Sequence, residues 1–562
     1  MATAVLNQIR SLILDIKSTA TKRFLTSAVA LGTSVVLLAG CAGATDTTET
    51  SSTSTGSGST STDPISITVG TTDKVTTIDP AGSYDNGSFA VMNQIYPFLL
   101  NSTPGNADMV PDIAVSASFT SATQYTVELK PGLKFANGND LTSSDVKFSF
   151  DRQVTISDEA GPSWLLYNLD SVETPSDTTV VFNLLSENDQ VFEAILSSPV
   201  APIVDEEVFS ADSLTTDDDI VAGMAFAGQY VISAYKFNEL VQFTRYDGYD
   251  GVLGAALNDT VNLKFYADSS NLKLDIQEGN IDLATRSLSA TDVADLATND
   301  KVKVITGPGG EIRYIVFNFD IQPYGAKTAN ADADKALAVR QAVAHLVDRE
   351  ALSTQVYKGT YLPLWSYVPP GLPGANESLK VRYGATPDAA TAAKVLSDAG
   401  VSTPVTLNLQ WNPDHYGPSS GDEYALIKSQ LETTGLFTVN LQSTEWVTYA
   451  QERKDDVYPA HQLGWFPDYS DSENYLNPFF LDGGFLLNHY SNKAVDALLL
   501  EQIVTVDKDE RVAMIEEIQN MVAEDLSTIP LLFGAQVAVA GASVEGVTLD
   551  ASFKLRYGTI TK

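Results

Sequence analysis

IRYIVFNF, residues 312 to 319, is apolar on both of the faces a strand presents. Successive side chains of a strand point to opposite sides, so such a run belongs to a sheet covered on both faces, the arrangement of α/β proteins. A polar loop follows, and then VRQAVAHLVDREAL. There Val339, Ala342, Val343, Leu346 and Val347 recur at helical spacing on one side. A second run of the same two-sided kind, IPLLF, begins at Ile529.

Working outward, short strands alternate with helices through the rest of the body, which predicts α/β lobes. Val405, Leu407, Leu409 and Trp411 alternate, Tyr424, Ile427 and Leu431 keep helical spacing, and Phe437, Val439 and Leu441 alternate again: a β-α-β unit. Nearer the N-terminus, Tyr125, Val127 and Leu129 alternate before the turn Pro131-Gly132, and so do Val180, Phe182 and Leu184. Thr142 and Asp145 have capping-box spacing at the start of a helix. These elements predict a mixed-sheet subdomain over about residues 110 to 222. A body of this size needs two or more lobes.

The N-terminal region reads as an address. A basic stretch ends in Lys22-Arg23, an apolar run extends from Phe24 to Leu38, and Leu38-Ala39-Gly40-Cys41 follows. That is the layout of an export signal, with an apolar segment too short to span a bilayer comfortably. The four residues resemble the lipobox of bacterial lipoproteins, whose cysteine is lipidated and becomes the new N-terminus. Cys41 is the single cysteine, so the body has no intramolecular disulfide. Residues 42 to 63 hold 14 Ser or Thr and no large apolar side chain; they cannot bury a core and predict a flexible tether with a reach of about 25 Å. The net charge is −37 and becomes about −40 once four basic residues and one acidic residue leave with residues 1 to 40. Nucleic acid and anionic lipid would repel such a surface, which argues against a nucleic-acid partner.

HQLGWFPDYSDSENYLNPFF, residues 461 to 480, holds the strongest functional signal. Leu463 to Phe466 reads as a strand end, broken by Pro467 into a loop that carries Asp468, Asp471 and Glu473 among Trp465, Phe466, Tyr469 and Tyr475. Ligands of open α/β sheets bind beyond the carboxyl ends of strands. A carboxylate walled by aromatics there suits an ammonium group through ion pairing and cation–π contact. The same spacing also fits a turn aspartate beside ordinary core rings.

Several stretches in order resemble one family. YTVELKPGLKFANGNDLTSSDVKFSFDR (125 to 152), FNF followed by VRQAVAHLVDREAL, the GWFPDYSDSENYL loop, the C-terminal NKAVDALL and DERVAMIEEIQNMVAEDLSTIPL, and IDPAGSYD (78 to 85) are similar to the extracellular family 5 solute-binding lipoproteins of ABC transporters for dipeptides and oligopeptides. The resemblance implies a type II periplasmic-binding-protein-like fold: two α/β lobes, an extra subdomain in lobe one, and two crossing strands, here IRYIVFNF and IPLLF. Lobe one would be 64–316 with a return at 530–562, and lobe two 317–529. It implies an extracellular, lipid-anchored monomer without a cofactor, which captures peptides and delivers them to ABC permease subunits served by cytoplasmic ATPases. Asp468 matches the position that takes a peptide's α-amino group. The ligand-contacting candidates are Asp468, Trp465, Phe466, Tyr469 and Trp411. Arg313, Arg340, Arg349, Arg382 and Arg453 stand as candidates for the peptide carboxylate, with Arg340 and Arg349 in a more structural setting. Asp471-Ser472 departs from the family's Asp-Pro and predicts a looser loop.

Other readings stay open. Relatives with sugar or nickel-complex ligands share the fold, and the five tryptophans could stack on sugars. A sugar site predicts rings at the cleft without a carboxylate at an amine-sized gap; a peptide site predicts Asp468 exposed there. An exported hydrolase of glycosidase type is disfavoured. His345, His415, His461 and His489 lack metal-ligand spacing, no P-loop occurs, and carboxylates in so acidic a chain carry no special meaning.

Overall fold

The apolar run at 312 is the C-terminal part of a longer strand, Val302–Phe317. In the computed structural model, which describes residues 64–106, 108–286, 288–550 and 552–562, this strand pairs antiparallel with Thr528–Gly541, from Val302 opposite Gly541 to Val316 opposite Thr528. The signal region, Cys41 and the tether lie outside the described residues. Both crossing strands are longer than the sequence suggested. The first starts at Val302 because the ladder tolerates Gly307-Pro308-Gly309-Gly310 by shifting register between Thr306 and Gly309 and again before Glu311. Proline has no N–H to give a ladder and glycine weakens a strand, so pairing slips there rather than ending.

That slip falls where the pair changes companions. On one side Thr528–Gly541 pairs with Leu283–Thr285, which lies beside Ser66–Thr71 and then Thr260–Phe265. On the other, Ile312 to Phe317 pairs with Ala460–Trp465, which joins Val405–Trp411 and Phe437–Ser443. One eleven-stranded sheet thus runs through both lobes, and the two long strands carry it from one to the other.

In lobe two, Val405–Trp411 and Phe437–Ser443 are parallel and flank the helix Ser420–Thr433, the β-α-β unit expected from the periodicity. Helix Ala333–Leu346 buries Val339, Ala342, Val343 and Leu346. Arg340 of this helix donates to the Asp525 carbonyl and to Gln322, and Arg349 donates to the Pro530 carbonyl with its guanidinium over Trp365. Both are committed to structure.

In lobe one, Ala114–Ser121, Gln124–Leu129, Thr179–Leu184 and Leu169–Ser176 form a separate four-stranded sheet. Every pairing in it is antiparallel, not mixed as expected. Ser121 to Gln124 and Ser176 to Thr179 are joined by two-residue connections, and a hairpin that short allows no parallel crossover. Helix Ser143–Ile156 covers this sheet and begins with the Thr142/Asp145 capping box.

Candidate ligand-binding site

Between the lobes lies a cavity of about 220 Å³. Lobe one contributes Asp73, Phe89 and Arg286, the crossing strands Glu311 and Arg313, and lobe two Tyr361, His415 and Phe466. Asp73, Arg286, His415 and Phe466 follow the carboxyl ends of sheet strands, where such folds place their ligands, and Glu311 and Arg313 reach the cavity from within the long strand.

Phe466 is the one of the five sequence candidates on this wall. Strand Ala460–Trp465 ends as Pro467 enters, and the chain turns back behind the wall. There the Asp468 carboxylate is buried and accepts from the Tyr84 hydroxyl at 2.7 Å and the Asn474 amide at 3.1 Å. Asn474 Oδ1 in turn accepts the Asp468 N–H at 2.8 Å and the Trp465 indole N–H at 3.1 Å. Tyr84 comes from lobe one, so this hydrogen bond joins the lobes. Tyr84, Trp164, Trp465 and Phe485 enclose it, with ring centres 5.2 to 6.5 Å apart in the pairs that touch. No cation faces Asp468 among the described residues. Burial pushes its pKa up to about 6, with the bonds from Tyr84 and Asn474 pulling the other way.

An Asp468 open to the cleft was expected. In this conformation the Tyr84 hydroxyl fills the gap an amine would need. Trp465 and Tyr469 were expected at the ligand but are packed inside the loop: Trp465 against Phe479 and Phe485, and Tyr469 with its hydroxyl on Glu473, which burial pushes up to about 8. Trp411 is half-buried and lies against Gly421, where an added Cβ would come within 3.1 Å of its ring; the close approach of the following helix uses that face. Nor is the loop loosened at Asp471-Ser472. Asp471 takes a two-pronged bond from Arg511 at 2.7 and 2.9 Å, and Ser472 Oγ donates to the Pro373 carbonyl.

The charged wall was legible only in part. Of the five arginine candidates Arg313 alone is there. It donates to Glu423 and to the Tyr416 carbonyl, pairs with Glu311 at 3.2 Å, and sits over the Tyr357 and Tyr361 rings. Arg382 pairs with Glu524, and Arg453 reaches the Phe485 and Leu486 carbonyls. Arg286 escaped the sequence reading; its one signal is its place just after the short strand Leu283–Thr285. Its guanidinium lies 4.1 Å from the centre of the Phe466 ring, with Nε 3.1 Å from Asp73 Oδ2. Beside it, His415 stacks on Trp446 at 3.7 Å, and burial together with Arg286 and Arg313 pushes its pKa down to about 3, so it is neutral at physiological pH.

The described residues contain one group of potential metal ligands, Asp320, Asp456 and His489, far along the chain from one another and away from the cavity wall. Lys327 places its ammonium 2.7 Å from Asp320 and 3.4 Å from Asp456, so a cation is already built in. Among the described residues no helix is long and apolar enough to cross a membrane.

Two α/β lobes joined by a crossing pair, with a cavity between them, make up the type II periplasmic-binding-protein fold. Residues 108–486 match the bacterial extracellular solute-binding proteins, family 5, and the chain belongs to that family. Heme-binding protein A of Haemophilus influenzae is 25% identical over 81% of this chain and 85% of its own length. The dipeptide-binding protein of Escherichia coli is 22% identical over 83% and 88%. Among solved structures, the periplasmic binding protein DppA from Helicobacter pylori, in complex with the peptide STSA, superimposes with a TM-score of 0.76 at 19% identity, over 89% of this chain and 98% of that one. All three are named as binding proteins, and the Helicobacter pylori protein as ABC transporter-associated.

Proposed function

We propose that the chain is the lipid-anchored capture component of an ABC importer and that its solute is a short peptide. The observation that carries this reading is the cavity itself: walls from both lobes, aromatic surface, and charges of both signs from Asp73, Glu311, Arg286 and Arg313. A zwitterion with apolar side groups matches that lining. At about 220 Å³ the space has room for roughly fifteen to twenty waters, the scale of two or three residues.

Capture involves no bond chemistry. A solute that touches both lobes binds the closed form better than the open one and shifts the population by that difference. The peptide backbone bonds like an added strand, independent of sequence. For its α-ammonium to take Asp468, which lies behind the cavity wall here, the loop must open toward the cleft and release the Tyr84 hydroxyl, exchanging a neutral donor for a charged one at a carboxylate that lacks a cation. The closed body then docks on the permease through both lobes, while Cys41 and the tether keep it at the extracellular face of the cytoplasmic membrane.

Mass spectrometry of small molecules released by denaturing the purified protein tests the ligand. Peptides of two or three residues are expected; a sugar or a tetrapyrrole would overturn the peptide reading. Intact-mass analysis of membrane-extracted protein should show a diacylglyceryl adduct at Cys41, and Cys41→Ser should release the protein to the soluble fraction.

A further inference from the structure

The structure assigns Arg286 the task of gripping a carboxylate of the solute, which makes a free carboxylate on an apolar or aromatic body the feature this cavity selects. The inference rests on the cleft being the solute site and adds the chemical group it reads.

Arg286 and Arg313 both reach the wall, but they are differently engaged. Arg313 spends its terminal nitrogens on Glu423, Ser420, Glu311 and the Tyr416 carbonyl. Arg286 spends only its Nε edge, on Asp73, and its two terminal nitrogens have no acceptor among the described residues. Its side chain is 33% exposed, although it belongs to a cavity wall. The Phe466 ring lies against the guanidinium, its centre 4.1 Å from Cζ, which limits the freedom a ligand would otherwise have to freeze. A planar cation fixed by a ring, with one edge paired and the other open, presents the two parallel N–H groups that a carboxylate takes bidentately.

The surroundings set the rest of the selectivity. Neutral His415 adds no second cation beside it. Phe89, Phe265 and Tyr361 line the adjoining space, which favours an apolar body. A solute lacking the carboxylate would close the cleft over an unanswered pair of donors, and unmade bonds to a buried charged group discriminate more strongly than lost apolar contact.

The test uses titration calorimetry with Phe-Leu, Phe-Leu amide and 3-phenylpropionate as probes, on the wild type, Arg286→Gln and Asp73→Asn, with thermal melts to show that each variant is folded. Expected are at least tenfold weaker binding of the amide than of Phe-Leu by the wild type, loss of that difference in Arg286→Gln, and severalfold tighter binding of Phe-Leu by Asp73→Asn, which removes the competing negative charge from the Nε edge. Equal binding of acid and amide by the wild type overturns the role of Arg286 and leaves the peptide reading standing. Arg286-dependent binding of phenylpropionate with neither peptide form bound overturns the peptide reading and leaves Arg286 standing. Binding of none of the three overturns both.

Discussion

Asp468 and Asp471 lie three residues apart on one loop and are treated oppositely. Asp471 has a full guanidinium across it, at 2.7 and 2.9 Å, and caps the turn Ser472–Tyr475 through the Glu473 N–H. Asp468 is more deeply buried and has only a phenol and an amide. Burying an ionised group without a cation is costly, so the fold keeps at Asp468 a charge site that it leaves uncompensated. On the proposed reading, the contrast separates electrostatics used for structure from electrostatics held for a solute.

The sharpest break of this comparison is Asp471→Ala. It strands Arg511, whose side chain is 14% exposed, and removes the cap. Loss of a partly buried pair together with a cap is worth about 3 kcal/mol. The urea midpoint, followed by tryptophan fluorescence, should fall accordingly. An unchanged midpoint would show that the loop does not depend on this pair.

Asp468→Ala should behave the other way round. Folding stability moves little, because the cost of burying the acid disappears along with its two hydrogen bonds. Binding of free-amine peptides weakens by more than about 2 kcal/mol, the scale of a lost buried charge partner. N-acetylated peptides bind the wild type weakly and the variant no worse. Equal affinity for acetylated and free peptides would remove Asp468 from the role.

A smaller effect comes from pH. Burial raises the Asp468 pKa to about 6, so below that value the ligand-free protein holds it protonated, whereas an ammonium needs it ionised. Affinity for free-amine peptides should be about tenfold lower at pH 5 than at pH 7, and should fall again above about pH 8 as the peptide's own α-amine loses its proton. The stability contribution has the opposite sign: the cost of the buried charge is present above about pH 6 and is relieved as pH falls toward the ordinary carboxylate value of about 4. Asp468→Asn should remove the inflection near pH 6 from both curves; an inflection that persists belongs to another group.

The same contrast explains what could be read from sequence. Two-sided apolar runs, a helix stripe at 339 to 347 and the β-α-β unit are local patterns, and they gave the crossing strands and lobe two. The length of Val302–Phe317 was hidden because Gly-Pro-Gly-Gly ordinarily ends a strand, and only the partner strand carries it across. At the site, the loop with its rings and carboxylates stood out because the chemistry lies within twenty residues. Its geometry did not: whether Trp465 or Phe466 faces the cavity turns on one position of a strand whose two faces are both apolar. Arg286 is a lone arginine after a three-residue strand, and Tyr84 meets Asp468 from 384 residues away. Neither pairing leaves a trace in local spacing.

Tyr84→Phe gives the smallest effect and the finest distinction. The change keeps the ring among Trp164, Trp465 and Phe485 and deletes only the hydroxyl, so packing is preserved while the hydrogen bond between the lobes is lost. The bond is worth about 1 kcal/mol, more if Asp468 is ionised. If the hydroxyl only holds the empty protein shut, the variant populates the open form more, seen as a larger radius of gyration in solution scattering without ligand, and closes normally with peptide. If it instead competes with the ligand ammonium for Asp468, free-amine peptides bind the variant severalfold more tightly while acetylated ones are unaffected. Weaker binding of both kinds would mean that the hydroxyl contacts the solute directly, and Tyr84 would then belong to the binding surface rather than to the latch behind it.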